Sequence, residues 1–229
     1  MKAIRGLLRS AGLSLGLLLG RRLGMFATID ALVVILFLVS MLLSGEGDTI
    51  AAYRFLFLLP TLILSLPAMA GMVDLERRAG CLDLALSAPA AEGYFVRRAG
   101  AVCGFAAVQG AVFVLFGWLY AGRVFPLLAA LIQIAVVCAF LGAVSLFWAV
   151  RLRTAGAVWL ASAVTVGLMG RWFFFDPTTW IAGSAERPLL PWGKEALAWL
   201  PSLAVLSLGT VLFYLYARRR LRRPELMLS

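Results

Sequence analysis

Residues 125–150 read FPLLAALIQIAVVCAFLGAVSLFWAV, a run that contains no charged side chain. A transmembrane helix needs about 20 consecutive apolar residues to cross the roughly 30 Å hydrocarbon core of a bilayer. The run exceeds that length, and its most polar side chain is that of Gln133. It therefore predicts a membrane-spanning helix and sets the scale against which the rest of the chain is measured.

Five further apolar runs flank this one, separated by charged residues or turns. The six predicted spans are residues 24–44, 52–73, 99–120, 125–150, 155–175 and 196–217. Residues 1–22 predict an amphipathic helix in the membrane interface, because apolar residues recur there at helical spacing between basic ones. A cleaved signal peptide is disfavoured, since Arg21 and Arg22 stand where small residues would be expected. The predicted fold class is an all-α integral membrane protein, with one transmembrane domain over residues 1–229.

Composition favours the same class. Of the 229 residues, 63% are hydrophobic and 14% are charged, and the mean hydropathy is +0.97, whereas soluble domains carry roughly 25% charged residues. A net charge of +10 would suit a nucleic-acid-binding protein, but the basic residues lie between apolar runs and form no face interleaved with aromatic residues. We therefore expect membrane lipid, and no nucleic acid, among the partners.

The distribution of Lys and Arg predicts the orientation. With the N-terminus inside, sixteen of the 21 basic residues fall in cytoplasmic segments and five in external ones, as the positive-inside rule requires. Both termini are then cytoplasmic, residues 218–229 form a basic tail, and residues 176–195 form a longer external connection. The predicted location is the cell (plasma or inner) membrane, with multiple passes.

Several kinds of site are excluded by what the sequence lacks. It has no histidine, which removes His-dependent catalytic triads and the commonest metal and haem ligand. Cys81, Cys103 and Cys138 do not have the paired spacing of a zinc site or a disulfide framework. There is no phosphate-binding G-x-x-x-x-G-K-S/T loop. No catalytic, cofactor-binding or metal-binding residue is assigned, so any ATP and Mg²⁺ would be bound by another subunit.

The predicted spans carry few ionisable side chains, and none at a predicted midplane. Gln109 and Gln133 are the most polar residues deep inside spans, and we expect both to hydrogen-bond neighbouring helices. Small residues four positions apart, such as Gly100 and Gly104, predict close helix packing. An ion-coupled carrier normally needs a buried ionisable group, so the energy for transport is expected to come from elsewhere.

The polar segment at residues 74–98 begins with DLERRAGCLDLALSAP, residues 74–89. As one short helix it would place Leu75, Leu82 and Leu86 on one face, and the following proline would end it. The charged residues that this leaves available to another protein are Glu76, Arg77, Arg78 and Asp83. Such a helix could dock a cytoplasmic partner, and an ordinary interfacial loop is the alternative.

This segment resembles the membrane subunits of ABC transporters of the ABC-2 type, in which a similar motif follows the second of six spans. The matching residues are Glu76, Arg77, Gly80, Leu82, Asp83, Leu86 and Pro89. The chain departs from the family at Cys81, where Thr is usual, and at Asp83, where Glu is more frequent. The motif covers less than a tenth of the chain, but the six predicted spans and the cytoplasmic termini agree with the family.

The resemblance implies a permease whose residues 74–89 form a coupling helix on a separate ATP-binding subunit. The coupling residues would be Glu76, Arg77, Arg78, Gly80, Leu82, Asp83, Leu86 and Pro89. It further implies two permease chains, identical or not, above two ATPase subunits that hold ATP and Mg²⁺, with export of substrate past a gate at residues 176–195. The alternatives are an ion-coupled secondary carrier, a membrane-embedded enzyme, a scaffold and, within the same class, the haem-related cytochrome c maturation permease. No substrate-binding residue is assigned.

Overall fold

The computed structural model describes residues 66–87, 91–120, 127–169 and 194–223, with isolated positions 12, 13, 16, 20, 28, 31, 32, 35, 36 and 39. Within these residues all regular structure is α-helical and no strand occurs, which confirms the predicted class for that part of the chain. The main helices are α1 (Leu66–Arg78), α2 (Leu82–Ser87), α3 (Ala91–Tyr120), α4 (Leu127–Ala149), α5 (Ala155–Leu168) and α6 (Lys194–Leu221).

Three of these helices are long and apolar enough to cross a membrane. The apolar stretches are Glu92–Phe116 in α3, Leu127–Ala149 in α4 and Trp199–Leu221 in α6, with 25, 23 and 23 residues. At 1.5 Å per residue they extend about 35–38 Å, enough for a hydrocarbon core of roughly 30 Å. With 14 residues, α5 extends only about 21 Å. The described chain is thus a helical membrane protein with three helices able to span.

These helices coincide with the predicted spans at residues 99–120, 125–150 and 196–217, and α5 covers the first part of the span predicted at 155–175. Other predictions fall largely outside the described residues: those for residues 1–22, 24–44, 52–73 and 176–195, and the end of the basic tail. The prediction of six spans therefore stays a prediction.

Two helix boundaries differ from the bounds of the predicted segments. Ala91 begins α3, eight residues before the predicted start at residue 99, so residues 91–98 are its first turns and not a connection. The segment after the second predicted span is also not a single short helix. Instead α1 ends at Arg78 and α2 starts after a turn that contains Gly80. The break occurs at Gly80, whose positive φ is incompatible with a right-handed α-helix.

The central helix is α4, against which α1, α3, α5 and α6 all pack. It is apolar around its whole circumference, as suits a helix surrounded by others, and every residue from Phe140 to Leu146 is buried. By contrast, α6 exposes Leu208, Val211 and Leu212. In a bilayer such a face would meet lipid or another chain.

Close helix approach depends on two glycines near the middle of the bundle. A Cβ atom at Gly142 of α4 would overlap the Sγ atom of Cys103 on α3. A Cβ atom at Gly209 of α6 would lie 2.7 Å from a phenylalanine ring carbon of α4. The contacts predicted at Gly100 and Gly104 are not found within the described chain, since Cβ atoms there would meet nothing within 4 Å.

The positively charged segments meet at one end of the bundle, where hydrogen bonds and ion pairs join them. This basic end consists of the C-terminal turn of α1, α2, the first turns of α3, residues 150–154 and the C-terminal turns of α6. Its basic side chains are Arg77, Arg78, Arg97, Arg98, Arg151, Arg153, Arg218, Arg219, Arg220, Arg222 and Arg223. The grouping agrees with the predicted segregation of arginine to one side of the membrane.

Candidate partner-docking site

At the basic end, α1 finishes in a Schellman turn around Gly80. The Cys81 N–H donates to the carbonyl oxygen of Glu76 at 3.0 Å, and the Gly80 N–H donates to that of Arg77 at 3.1 Å. Gly80 has φ = 66°, a left-handed conformation that costs residues with a side chain roughly 1–2 kcal/mol. The glycine of the predicted motif therefore has a clear structural reason, because it closes the turn that ends α1 and lets α2 begin at Leu82.

The short helix α2 turns one leucine outward and two inward. Leu82 and Leu86 are 8% and 6% exposed, whereas Leu84 is 76% exposed. The predicted apolar face is thus confirmed for Leu82 and Leu86, and Leu75, at the end of α1, is half-buried. Residues 74–87 are termed the α1–α2 hairpin below.

Glu76 lies beneath the hairpin surface. It is 4% exposed, and its Oε1 atom is 2.6 Å from the Nη1 atom of Arg98 on α3, which is 1% exposed. The expectation that Glu76 is available to another protein is therefore wrong. Residues two apart on a helix point in nearly opposite directions, so α1 turns Glu76 towards α3 and leaves Arg78 on the surface.

Tyr94 completes a buried polar cluster with Glu76 and Arg98. Its hydroxyl donates to Glu76 Oε1 at 2.8 Å and accepts a hydrogen bond from Arg98 Nη2, and the guanidinium lies 4.7 Å from the Tyr94 ring centroid. Arg98 Nη1 also donates to the carbonyl oxygen of Met72 at 2.8 Å. Within the described residues, Glu76 Oε2 and Arg98 Nε make no hydrogen bond. Removing one charge would leave the other buried and unpaired, at a cost of several kcal/mol.

Arg77 and Arg78 have different surroundings. Arg77 is half-buried and donates to the carbonyl oxygen of Leu152 in the α4–α5 connection. Burial lowers the pKa of its guanidinium, an effect that Asp74 opposes and Arg153 reinforces. The Arg78 side chain is 71% exposed and pairs with Asp74 at 2.6 Å. Of the two arginines, Arg78 is the one that a partner could contact.

Two further sets of contacts join α6 to the other elements of the basic end. Arg151 Nη2 donates to the Tyr216 hydroxyl at 2.5 Å, and its guanidinium lies 4.8 Å from the ring centroid of that tyrosine. Glu92, in the first turn of α3, pairs with Arg218 and, at 2.7 Å, with Arg222. The start of α3 and the end of α6 are therefore joined by charge.

These contacts form a closed circuit, termed the polar ring. It runs from α1 to α3, from α3 to α6, from α6 to the α4–α5 connection, and from that connection back to α1. Its side chains are Glu76, Arg77, Glu92, Arg98, Arg151, Tyr216, Arg218 and Arg222. A displacement of the hairpin would therefore act, through these contacts, on α3, on α6 and on the α4–α5 connection.

The structure brings most of the predicted coupling residues together in the hairpin, namely Glu76, Arg77, Arg78, Gly80, Leu82 and Leu86. Asp83 lies within α2, and Pro89 lies outside the described residues. Sequence reasoning missed Tyr94 and Arg98. One signal could have found them, because Arg98 stands one helical turn after Tyr94, a spacing at which two side chains on a helix can interact.

Other polar groups of the described chain do not form a chemical site. No group of three His, Cys, Asp or Glu residues among those described could hold a metal ion. Cys81, Cys103 and Cys138 are not joined in disulfides. In the bundle, Trp199 Nε1 donates to Gln133 Oε1 at 3.0 Å, which confirms the helix-to-helix hydrogen bond predicted for Gln133.

The sequence matches no protein-family model and no curated protein, and the structure matches no solved structure.

Proposed function

We propose that this chain is the membrane subunit of an ATP-driven transporter of the ABC-2 type, an exporter whose ATP is hydrolysed by a separate subunit. The proposal rests on the motif in residues 74–89 and on the form that this segment takes. Residues 74–87 of this segment make the α1–α2 hairpin at the basic end of a helical membrane protein. By the positive-inside rule this end faces the cytoplasm, where an ATP-binding subunit would be.

One observation carries the proposal: one side of the hairpin is packed against the helical bundle, and its other side is exposed. Leu82 and Leu86 are buried, while Leu84 is 76% exposed and Arg78 is exposed on the same hairpin. Interfaces are commonly anchored by a few apolar or arginine side chains that enter pockets of the partner. Leu84 is the anchor we assign, with Arg78 at the rim.

In this proposal ATP and Mg²⁺ are bound only by two copies of the partner ATPase, which sit beneath two permease chains in the inner membrane. Closure of the ATPases pushes the hairpin, and the polar ring carries the displacement into the helices. Lipid and the second permease chain cover the apolar faces of α5 and α6, and residues 176–195 gate the external side.

An ion-coupled carrier is the second candidate, because the described helices do contain a buried ion pair, Glu76–Arg98. Intramembrane ionisable groups often mark ion pathways. Arg98 lies only six residues beyond Glu92, or about 9 Å along α3, so the pair is near the basic end and not at the midplane. Collapse of substrate transport when an ionophore dissipates the proton gradient, with ATP maintained, would favour the carrier.

The direct test is a mild-detergent pull-down of the full chain from its native cells. We expect an ATP-binding subunit in roughly stoichiometric yield, and Leu84→Glu should lower its recovery by at least about tenfold, since it places a charge at the interface centre. The matched control is Arg219→Gln, which changes an exposed residue of the basic end outside the hairpin and should leave recovery unchanged. Recovery of the chain without any ATPase would overturn the proposal.

A further inference from the structure

We infer that Glu76, Tyr94 and Arg98 are positioning residues that fix the α1–α2 hairpin on α3, and that Glu76 touches no partner. The placement of the hairpin follows from contacts within this chain alone. Its consequence for transport rests on the proposed function, because a coupling element must have a defined position before a push on it can move a helix.

Glu76 joins two structures at once. Its carbonyl oxygen accepts the Cys81 N–H and so closes the turn, while its carboxylate pairs with Arg98 on α3 at 2.6 Å. The Cys81 Sγ atom also lies 3.7 Å from the same carbonyl oxygen. The direction in which α2 leaves the turn is therefore set relative to α3, and not only relative to α1.

Arg98 makes two contacts with α1, one with its backbone and one with a side chain. It donates to the carbonyl oxygen of Met72 and pairs with the carboxylate of Glu76, and these residues are four positions, or about 6 Å, apart on α1. Tyr94 bridges the carboxylate and the guanidinium. The same Nη1 atom makes both contacts, so the guanidinium holds the backbone of α1 and the side chain of Glu76 together against α3.

The buried charges are better explained by positioning than by stability. Apolar residues of similar volume in place of a buried ion pair often leave a protein equally stable, whereas directional hydrogen bonds can select one arrangement among several. This pair selects the arrangement that directs Leu84 outward. Arg98 also lies on the same helix as Glu92, which pairs with Arg218 of α6, so the hairpin and α6 both contact α3.

Cys81 provides a native reporter, because it is half-buried in the turn. The experiment measures the rate at which a hydrophilic maleimide labels each cysteine of the full chain in lipid nanodiscs, read separately by peptide mass spectrometry. No partner is needed, so the result is independent of the proposed function. We expect Glu76→Gln to raise the labelling rate of Cys81 by at least about tenfold, since local opening becomes easier when the pair is lost.

Tyr94→Phe, which removes one hydroxyl and keeps the ring, should raise the Cys81 rate by a smaller factor and keeps the test valid if Glu76→Gln fails to fold. The matched control is Asp74→Asn, which breaks the pair with the exposed Arg78 on the same helix and should not change the Cys81 rate. A merely structural role would increase labelling of Cys103 and Cys138 together with Cys81, whereas positioning raises the rate of Cys81 alone.

Arg98→Gln completes a double-mutant cycle. If the two residues act only through their contact with each other, Glu76→Gln and Arg98→Gln together raise the Cys81 labelling rate no further than either change alone. Additive effects, an unchanged rate in both Glu76→Gln and Tyr94→Phe, or equal labelling gains at all three cysteines would overturn the inference. If the pull-down recovers no ATPase but the labelling rates change as expected, the permease proposal is rejected. The positioning role of Glu76, Tyr94 and Arg98 then still holds.

Discussion

The basic end and the middle of the bundle are held together by different kinds of contact. At the basic end, arginines reach across to carboxylates, carbonyl oxygens and a tyrosine hydroxyl, as in the pair Glu76–Arg98. In the middle, helices meet where a side chain is missing, as at Gly142 against Cys103 and at Gly209 against an aromatic ring of α4.

The difference has a consequence for how such a protein could respond to a partner. Apolar contacts between close helices depend on fit and tolerate small sliding, but they do not specify a direction. Hydrogen-bonded ion pairs are directional, and breaking one leaves a costly buried charge. A force applied by a partner at the basic end therefore acts on contacts that have one defined geometry. The helices in the middle of the bundle would then move because they are packed against those of the basic end.

The largest effect should come from Arg98→Leu, which leaves Glu76 buried with only the Tyr94 hydroxyl as a donor. We expect a loss of about 3–5 kcal/mol in stability, measured as a lower midpoint of thermal unfolding in detergent. Changing both residues to leucine removes the uncompensated charge and should recover most of that loss. If the double variant is no more stable than Arg98→Leu, the buried carboxylate is not the cause of the destabilisation.

A smaller loss of stability is expected from Gly142→Ala, at the apolar contact between α4 and α3. The new methyl group overlaps Cys103 Sγ, and overpacking of this kind costs about 1–3 kcal/mol. Cys103→Ala added to it should restore the midpoint, because the new methyl would then lie 3.7 Å from the Cys103 Cβ. Gly100→Ala is the matched control on α3 and should cause no loss, since open space surrounds it. A loss of stability in Gly100→Ala as large as that in Gly142→Ala would contradict the close α3–α4 contact assigned to Gly142.

The helices of the middle could be predicted from the sequence because each depends on composition over a long window. α4 is the clearest case, since the uncharged run at residues 125–150 leaves no alternative to a membrane-length helix and the structure gives Leu127–Ala149. The contacts at Gly142 could not be predicted, because small residues occur at many helix positions and only the bundle selects which of them face a neighbour.

At the basic end, the prediction is confirmed for Leu82, Leu86 and the exposed Arg78, and it is wrong for Glu76. Leu82 and Leu86 follow from periodicity within one helix. Glu76 and Arg98 lie in segments that read as cytoplasmic, and their burial depends on how α1 crosses α3, which no local pattern contains. The neighbouring Arg97 is exposed, so adjacent residues of identical type have opposite environments.

The smallest of these effects concerns Gly80, where neither charge nor packing is involved. No atom lies within 4 Å of a Cβ atom built there, so substitution costs only what the positive φ imposes. Gly80→Ala should lose roughly 1–2 kcal/mol, and Gly80→Asn should lose less, because asparagine tolerates the left-handed conformation. The order Gly, Asn, Ala is expected both in the unfolding midpoint and, inversely, in the labelling rate of Cys81. Equal stability of the alanine and glycine forms would mean that the turn is held by the leucines of α2 and the buried pair, and that the backbone conformation of Gly80 does not set the direction of the hairpin.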